Sequence, residues 1–493
     1  MKKTILKSVV ALATVVSVGC SEQFLEVQPT DSITKEQVLS SPEGGSIAMN
    51  GIYRQMYDTK LTETGAYNHD KFGETAVHLY SDLRGEDLFP ANSGYGWFNS
   101  DYNLQSRIAS DRRPSFVWRY YYGLINSANE IISGIPEDAS EDLLVYRGQA
   151  LGIRAHAYFK LVQLFQFSYK GNEAKPGVVI YTEPSGGDSA PKGRATVQEV
   201  YDQILADLTL ANSYLSGYNQ SNNSEIDSKV INGFLARVYL VMNDWTKAAE
   251  HAAIARNGVS FADVTYGFDR SGRGNGWLWG MSVQSDQATG YASYFSHIDN
   301  TFFNYATLGQ QKLINKKLYA HLADTDVRKG LILSPEELEE GNAYANYSLS
   351  TFAYMFFKYR ATNPGSWDSD YVLMRAEEML LIEAEAKAML GQNSEASMLL
   401  QELVVTRDPS TSVSSLTGQA LLNEISMQRR IELWGEGHRL TDLLRKNEAL
   451  DRTEGGHNET LADVMTLPAG HKDWLLQIPQ SEIDQNKEIV QND

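Results

Sequence analysis

The sequence predicts an all-α fold in which a body of packed helical repeats carries long irregular insertions. Three observations support this prediction. Apolar residues recur at helical spacing over most of the chain, small residues recur at offsets that suit closely crossing helices, and only two segments resemble strands. We therefore expect few short strands beside the helices.

The composition is that of a folded protein, and it argues against several functional classes. The chain has 493 residues, of which 42% are apolar and 21% are charged. Its formal net charge of −19 would repel a phosphate backbone, and it contains no long Lys/Arg run, so we expect no nucleic-acid partner. The single cysteine excludes an internal disulfide and a cysteine-based zinc cluster.

The first twenty residues predict export and lipidation. Met1–Lys7 is basic, Ser8–Gly19 is apolar but short for a bilayer span, and Cys20 follows directly. The run before Cys20 resembles a bacterial lipobox, in which the cysteine sulfur receives a diacylglycerol, although Ser17 stands where Leu is usual. An ordinary secretory signal with an incidental cysteine is the alternative. The predicted organisation is a signal peptide over 1–19, a lipidated tether over 20–40 and one helical domain over 41–493.

The first helix is expected to begin soon after this tether. Ser41-Pro42-Glu43 combines an N-cap residue with a proline at the first helical position, which favours a helix start. Amphipathic spacing then predicts helices over Ser115–Ser133, Asp142–Phe167, Thr196–Leu215, Ser228–Asn243, Trp245–Arg256, Tyr371–Leu390, Ser394–Val405 and Leu421–Arg445. The two strand-like segments are Gly177–Thr182 and Thr351–Arg360.

Two helix pairs share the spacing of a tetratricopeptide repeat. In the first pair, small and aromatic residues are separated by steps of 3, 6, 3, 4 and 3 positions: Ala236, Tyr239, Trp245, Ala248, Ala252 and Ala255. Offsets of 12, 4 and 3 recur in Ala384, Ala396, Leu400 and Leu403. Small residues at these offsets allow two helices to cross closely. The repetition therefore predicts a tetratricopeptide-like body.

Long irregular insertions separate the helices, at about 58–114, 257–310 and 334–370. Irregular segments of this length in a compact protein are usually functional. Residues 80–102 contain six aromatic residues and residues 266–305 contain ten, against 11% overall. We therefore expect the functional surface to lie in these insertions.

Three motifs in the C-terminal half resemble the SusD/RagB family. The run from Tyr371 to Ala386, YVLMRAEEMLLIEAEA, is similar to a family helix of the form lR.AE..L..AEA. The run from Ile425 to Arg445 resembles the family's ER..EL..EG.R..DL.R helix, with Gln428 where Glu is usual. The ending from Leu476 to Asn492 is similar to the family's l.pIP..Ei..N tail. With further agreement near Gly51-Ile52-Tyr53 and Arg154–Phe159, the resemblance covers nearly the whole mature chain.

This resemblance implies an outer-membrane lipoprotein of Gram-negative bacteria with about four tetratricopeptide-like helix pairs. Members of the family form a lid on a TonB-dependent, SusC-like transporter, which would be the partner of this chain. They capture a nutrient, usually an oligosaccharide or part of a polysaccharide, and pass it to the transporter without breaking it. The resemblance implies no cofactor and no catalytic residue, and the lipid on Cys20 would hold the protein at the cell surface.

The resemblance and the chemistry of sugars together suggest the ligand-binding residues. Sugars have apolar C–H faces and a ring of hydroxyls, so a glycan site combines flat aromatic rings with polar side chains. The first insertion offers Asp82, Arg84, Tyr95, Trp97 and Asn99, and the second offers Trp277, Trp279, Tyr291 and Tyr294. For any single aromatic residue of this set, packing within its loop is the alternative.

Charged residues elsewhere are expected to be structural rather than catalytic. Glu432 and Glu436 lie one helical turn apart, and two carboxylates on one turn cannot easily flank a glycosidic bond. We expect them to form a salt-bridge network with Arg429, Arg430 and Arg439, and we expect the same of Arg375 with Glu377 and Glu378. Asp324-Thr325-Asp326 lacks the later Gly and Glu of a calcium loop, so we expect no metal there.

Three alternatives remain open from the sequence. A member of the same family could bind a peptide or another non-sugar nutrient in an aromatic, acidic pocket. A secreted helical glycoside hydrolase would need two opposed carboxylates in one cleft. A scaffold whose repeats bind only protein would not need its exposed tryptophans.

Overall fold

The computed structural model describes residues 35–57, 69–187, 189–270, 276–340 and 350–492. The predicted signal peptide, Cys20 and most of the tether lie outside these residues. The helices are α1 (Lys35–Leu39), α2 (Pro42–Gln55), α3 (Glu74–Leu83), α4 (Asn99–Tyr102), α5 (Arg112–Gly134), α6 (Glu141–Phe165), α7 (Val197–Tyr214), α8 (Ser228–Met242), α9 (Trp245–Arg256), α10 (Tyr294–Ile298), α11 (Lys316–His321), α12 (Pro335–Glu340), α13 (Ala376–Met389), α14 (Asn393–Arg407), α15 (Gly418–Glu432), α16 (Arg439–Lys446) and α17 (Gln480–Gln485).

Short strands connect distant parts of the described chain in antiparallel pairs. They are β1 (Leu88–Pro90), β2 (Trp277–Met281), β3 (Lys312–Ile314), β4 (Tyr371–Arg375), β5 (Leu450–Asp451) and β6 (Thr466–Leu467). Strand β1 pairs with β3, β2 with β4, and β5 with β6. The all-α fold class with few short strands is therefore confirmed.

The long helices form a continuous array in which each packs on the next. Helix α6 packs on α5 and α7, α7 on α8, α8 on α9, α9 on α13, and α13 on both α14 and α15. Local capping defines several of these helices, as at Thr196, whose hydroxyl and Glu199 form a capping box at the start of α7. Asn243, at a φ of 61°, and the capping residue Asp244 make the tight turn between α8 and α9.

The repeat spacing that the sequence suggested marks the helix crossings. Ala236, Ala248, Ala252 and Ala255 are fully buried between α8, α9 and α13, as are Ala384, Ala396, Leu400 and Leu403 between α13, α14 and α15. Tyr239 is half-buried and stacks on His251, with ring centroids 5.4 Å apart. The methyl side chains of the alanines in this set permit the helices to approach closely where they cross. This close approach is the physical basis of the predicted offsets.

The predicted helix over Tyr371–Leu390 is wrong in its first turn. Residues Tyr371–Arg375 form strand β4, and the helix begins only at Ala376. Strand β4 is buried along its whole length and pairs with β2 through Met281 opposite Tyr371 and Trp277 opposite Arg375. Aromatic and β-branched residues favour such a doubly covered strand, but its partner lies about ninety residues earlier, so the local pattern could not reveal it.

The predicted helix over Leu421–Arg445 is interrupted. Helix α15 ends at Glu432 and α16 begins at Arg439. Gly435 and Gly437 both have a φ of 82° in the intervening turn, and a Cβ at Gly437 would come within 2.6 Å of the Cα of His78. The turn therefore depends on glycine both for its backbone conformation and for close packing.

Neither segment predicted as a strand forms one. In the stretch predicted over Gly177–Thr182 no residue pairs in a sheet, and the neighbouring Pro176 makes an isolated bridge to Thr196. Within Thr351–Arg360, single bridges join Met355 to Leu313 and Phe356 to Ile332. Dense aromatic residues there serve core packing, since Phe356 and Phe357 are buried.

We expect a larger side chain at a helix crossing to destabilise the array. Ala252→Leu places three extra carbons where Ala252 is fully buried, and overpacking of this kind costs about 1–3 kcal/mol. The free energy of unfolding, measured by urea denaturation with tryptophan fluorescence, should fall by that amount. The matched control is Ala420→Leu, at an exposed position of α15, which should leave the unfolding midpoint nearly unchanged. Equal effects of both substitutions would contradict the packing argument.

Candidate functional site

A cluster of partly exposed aromatic rings lies where the insertions meet. Tyr305 is its centre, and the rings of Tyr95, Trp97 and Tyr291 have centroids 5.3, 6.1 and 5.2 Å from that of Tyr305. Trp367 extends the cluster, 5.0 Å from Tyr291. We call Tyr95, Trp97, Tyr291, Tyr305 and Trp367 the aromatic platform. Tyr95 is 66% exposed, and the other four are half-buried. Each ring therefore contacts a neighbouring ring and is also partly accessible to solvent.

Unusual backbone conformations present these rings at the surface. Tyr95 and Trp97 alternate with Gly94 and Gly96, whose φ angles are 48° and 82°, and Gly290 before Tyr291 has a φ of 59°. Trp367 itself has a φ of 58°. A non-glycine residue in this left-handed region is uncommon and is enriched at functional sites. Positive φ angles therefore occur in each of the turns that carry Tyr95, Trp97, Tyr291 and Trp367.

Gln310 holds the first insertion against the second. Its Nε2 donates to the carbonyl of Trp97 at 2.6 Å and to Oδ1 of Asn99 at 2.8 Å. Asn99 in turn donates its Nδ2 to the carbonyl of Ser93 at 3.1 Å. Asn99, predicted to contact ligand, thus uses both ends of its amide to shape the loop beneath Trp97.

His69 contacts two rings of the platform, Trp97 and Tyr305. Its ring stacks on Trp97, with centroids 5.4 Å apart and planes 20° apart, and its Nδ1 lies 2.5 Å from the Tyr305 hydroxyl. Burial lowers the pKa of His69 and raises the pKa of Tyr305. Both side chains are therefore neutral at neutral pH, which keeps this part of the platform uncharged.

Charged residues at the rim are paired with each other. The Arg112 guanidinium lies over the Trp97 ring, 5.4 Å from its centroid, and is 2.9 Å from Asp70. At the other end, Arg270 is 2.8 Å from Asp368, next to Trp367. In the described part of the chain, Asp70 and Asp368 thus each face an arginine, so that these two charges beside the platform are compensated.

Two predicted polar residues of the first insertion lie in the core instead. Asp82 accepts hydrogen bonds from the amides of Gly437 at 2.9 Å and Arg439 at 3.1 Å. Burial raises the pKa of Asp82 to about 7, although the two amides act in the opposite direction. Arg84 is fully buried and donates to the carbonyl of Trp474 at 3.2 Å. Both residues position the insertion, and the structure does not bring them to the platform.

Three predicted aromatic residues of the second insertion are also buried. Trp277 and Trp279 belong to β2, where their Nε1 atoms donate to the Tyr266 hydroxyl at 2.5 Å and to the Ser224 carbonyl at 3.2 Å. Tyr294 is buried, and its hydroxyl donates to the carbonyl of Gly435. The structure therefore brings together Tyr95, Trp97 and Tyr291 of the predicted set, with Asn99 just below them.

Sequence reasoning missed Tyr305, Trp367 and His69. Tyr305 lies in the aromatic-rich second insertion and Trp367 in the third, but the sequence did not predict either residue to contact ligand. Aromatic density alone does not separate exposed rings from core rings. A stronger signal for Tyr291 is the glycine directly before it, because glycine at a positive φ favours an outward turn.

Glu432 and Glu436 are buried in a structural charge network, but with other partners than predicted. Glu432 faces Arg375 at 2.8 Å, Arg407 at 2.9 Å and Arg328 at 3.1 Å. Glu436 faces Arg375 at 2.8 Å and Lys358 at 2.6 Å. Burial opposes ionisation of both carboxyls, yet the facing cations hold the pKa of Glu436 below, and that of Glu432 well below, the usual range.

The predicted arginine partners face other carboxylates. Arg429 pairs with Asp442, Arg430 with Asp87, and Arg439 with Glu86. Arg375 lies 3.1 Å from Glu377 as expected, but Glu378 pairs with Arg237 at 2.6 Å. The prediction of a structural salt-bridge network is confirmed. The predicted ion-pair partners were wrong, because they were the residues closest in sequence and a turn separates α15 from α16.

The described residues contain no cluster of three metal-binding side chains. Asp324 lies 2.6 Å from Lys329, and Asp326 lies 2.7 Å from Arg328. Both carboxylates of that short acidic segment are thus neutralised by cations of the same chain. No helix in the described part of the chain is long and apolar enough to cross a membrane.

Two family models match adjacent parts of the chain. Residues 23–240 match one described as starch-binding and associating with the outer membrane, a SusD-like family. Residues 271–493 match the model of the SusD family, also called SusD/RagB. Between them the two models account for most of the chain.

Relatives and solved structures agree with these matches. A SusD-like protein of Formosa agariphila is 26% identical over 479 residues, which cover 87% of this chain and 89% of that protein. The crystal structure of a SusD-like carbohydrate-binding protein from Bacteroides vulgatus is 25% identical, with a TM-score of 0.78, covering 92% of this chain and 98% of that one. The fold is also shared with a SusD superfamily protein from Bacteroides thetaiotaomicron, at 24% identity and a TM-score of 0.77, covering 92% and 100% of the two chains.

Buried His457 contacts the first insertion, and the ionisation of this histidine can be tested by changing the pH. Its Nε2 lies 3.0 Å from the carbonyl of Glu86 and its Nδ1 lies 2.7 Å from the Tyr102 hydroxyl. Burial, helped by the charge of Arg452, lowers the pKa of His457 to about 3. Between pH 7.5 and pH 5 the unfolded chain therefore binds a proton at this histidine that the folded chain does not, which lowers the free energy of unfolding by about 2 kcal/mol.

The substitution His457→Gln removes this proton uptake while retaining an amide that can donate and accept. We expect the variant to be less stable than the unaltered protein at pH 7.5, and the difference between them to shrink by about 2 kcal/mol at pH 5. Urea denaturation at both pH values measures the two differences. A stability difference that is the same at both would show that His457 titrates normally in the folded state.

Proposed function

The chain belongs to the SusD/RagB family, and on that premise we propose that it captures an oligosaccharide on the aromatic platform and delivers it to a TonB-dependent outer-membrane transporter. The family includes carbohydrate-binding proteins, which supports glycan binding in general. We propose three specific points beyond it: the glycan is captured at the platform, it is delivered to a SusC-like partner, and its bonds are not cleaved.

The observation that carries the proposal is the shape and chemistry of the platform. Tyr95, Trp97 and Tyr291 adjoin Tyr305, and Trp367 adjoins Tyr291, as exposed or half-buried rings whose planes are inclined to their neighbours by 47–65°. The apolar C–H face of a sugar ring covers such a surface well, and the aromatic rings are already held by one another. Little side-chain entropy would be lost on binding, which favours capture by a rigid surface.

The charge pattern supports binding without hydrolysis. A glycosidase needs one free carboxylate and one protonated carboxyl facing each other across the bond. At the platform, Asp70 pairs with Arg112 and Asp368 pairs with Arg270. Glu432 and Glu436, which are close to each other in sequence, are buried and both face Arg375. These carboxylates are therefore committed to structural ion pairs.

A lipid on Cys20 would place the platform at the cell surface. Residues 1–19 have the pattern of a signal peptide, and Cys20 follows the apolar run directly. One family match is described as associating with the outer membrane. Acyl chains on the cysteine would anchor the helical body beside its transporter.

The platform substitutions Trp97→Ala and Tyr305→Ala, combined in one variant, should weaken glycan binding. Loss of two stacking rings removes about 1–3 kcal/mol, which is roughly 5- to 150-fold in affinity. Affinity electrophoresis through gels containing starch, laminarin, xylan or pectin measures retardation of the unaltered protein and its loss in the variant. A parallel assay for reducing ends should show no increase with the protein present.

The matched control is Tyr239→Ala with Trp245→Ala, which removes the same two side-chain types from half-buried positions on α8 and α9. This control should keep the retardation. Equal loss of binding in both variants would place the ligand elsewhere. Retardation by none of the glycans, together with binding of peptides, would favour the non-sugar alternative, and release of reducing ends would favour a hydrolase.

Replacement of Cys20 should release the protein from the outer membrane. Cys20→Ser removes the sulfur that accepts the lipid, so we expect no incorporation of labelled palmitate and a loss of the protein from the outer-membrane fraction. Ser21→Ala, one residue later, is the matched control and should retain both. Unchanged fractionation of the Cys20→Ser protein would contradict lipid anchoring.

A further inference from the structure

A second cleft opens on the side of α5, away from the platform rings. Its volume is about 630 Å³, which lies within the range of roughly 300–1,000 Å³ that is usual for small-ligand sites. Its walls are α5, the loop residues 181–187 and 189–191, which we call the wall loop, and α17 with Asn486 directly after it. The residues used below are Arg119, Tyr122, Asn126, Tyr181, Glu482 and Gln485.

Hydrogen bonds hold the walls of this cleft in place. Oδ1 of Asn126 accepts from the amide of Ser185 at 2.7 Å. Asn129 donates its Nδ2 to the carbonyls of Tyr181 and Glu183, each at 3.0 Å. On the other side, Nδ2 of Asn486 donates to the carbonyl of Lys192 at 3.0 Å. The loop is therefore tied directly to α5, and Lys192 just after it is tied to Asn486 just after α17, so the cleft is preformed.

The lining of the cleft combines aromatic rings with polar groups. Tyr122 and Tyr181 are half-buried, with ring centroids 6.2 Å apart. Within the described residues, Nδ2 of Asn126 and the side-chain amide of Gln485 make no hydrogen bond, and Glu482 accepts only from Asn486. Half-buried rings beside unused amides and a carboxylate suit a ligand with apolar faces and many hydroxyls.

One face of α5 connects this cleft to the platform. Arg112, Ser115, Arg119, Tyr122 and Asn126 follow one another at steps of three and four residues, so they lie along one side of the helix. Arg112 covers Trp97 of the platform, while the last three of these residues line the cleft. From Arg112 to Tyr122 the helix rises about 15 Å, a distance that a short run of sugar units can span.

We propose that the cleft between α5, the wall loop and α17 is a second saccharide subsite, occupied by another segment of the same glycan that stacks on the platform. The inference rests on the proposed function, because it assumes that the platform binds a glycan. It predicts a dependence on chain length. A polysaccharide long enough to reach both sites gains affinity from the second contact, since that contact is then intramolecular.

The test uses two cleft variants and two probes. Gly186→Leu narrows the cleft by adding a side chain where a Cβ meets no atom within 4 Å, so the fold should tolerate it. Arg119→Ala with Gln485→Ala instead removes two polar groups from the lining. The control is Lys247→Ala with Gln419→Ala, which removes one cation and one amide from exposed positions of α9 and α15. The probes are the polysaccharide that retards the protein in the gel panel and the trisaccharide of the same linkage.

Isothermal titration calorimetry gives the affinity of each protein for each probe. Both cleft variants should bind the polysaccharide about tenfold more weakly, the double variant because it loses one or two hydrogen bonds and Gly186→Leu because its side chain takes space from the ligand. They should bind the trisaccharide as the unaltered protein does, because the platform alone holds it. The platform variant should lose affinity for both probes, and the control for neither.

Three results would overturn the inference. Unchanged polysaccharide affinity in both cleft variants would do so while leaving the proposed function intact. Equal loss for the polysaccharide and the trisaccharide would show that the cleft is not a separate subsite. Failure of the unaltered protein to bind either probe would contradict the proposed function and, with it, the second subsite.

Discussion

A single buried arginine joins the helical array to the loops that carry the platform. Arg375, at the end of β4, is fully buried, and its Nε lies 3.0 Å from both carboxylate oxygens of Glu436. Its Nη1 donates to Glu432 at 2.8 Å, and its Nη2 donates to the carbonyl of the same residue at 2.6 Å. A charge in this position is tolerated only because every nearby donor finds an acceptor, and removal of one partner from such a pair typically costs about 3–5 kcal/mol. The junction of β4, α13 and the turn after α15 is therefore fixed as one unit.

The turn that Arg375 fixes also holds both platform insertions. Trp434 donates its Nε1 to the carbonyl of Asp87 at 3.0 Å, and the amide of Gly437 donates to Asp82 at 2.9 Å, which secures the first insertion. The Tyr294 hydroxyl donates to the carbonyl of Gly435 and secures the second. Asp82 and Tyr294, both predicted as ligand contacts, thus act at a distance from the rings by fixing the loops that present them. Buried polar contacts between residues more than a hundred positions apart give the insertions a defined shape without regular secondary structure.

The parts of the structure that depend on local pattern could be predicted, and those that depend on distant partners could not. Helical periodicity and the alanine offsets around Ala252 predicted the array, because both arise from contacts between consecutive helices. Strand β4 was missed since its pairing with β2 is non-local. Of the residues predicted to contact ligand, Trp97 and Tyr291 lie in the candidate site, whereas Trp279 is in the core. Both tryptophans come from aromatic-rich insertions, and only tertiary packing decides which ring faces solvent.

The platform itself offers more stacking surface than hydrogen-bonding specificity. Its nearest polar groups are already engaged, since Arg112 pairs with Asp70 and Asn99 bonds to Ser93 and Gln310. Stacking alone responds to the flatness and curvature of a sugar chain and hardly to the orientation of one hydroxyl, because any apolar C–H face covers an aromatic ring. On the proposed function, selectivity among glycans would therefore come from polar groups that contact other units of the ligand. In the proposed second subsite, Nδ2 of Asn126 on α5 and the side-chain amide of Gln485 on α17 would supply such groups, so that discrimination would depend on glycan length and linkage geometry rather than on a single sugar unit.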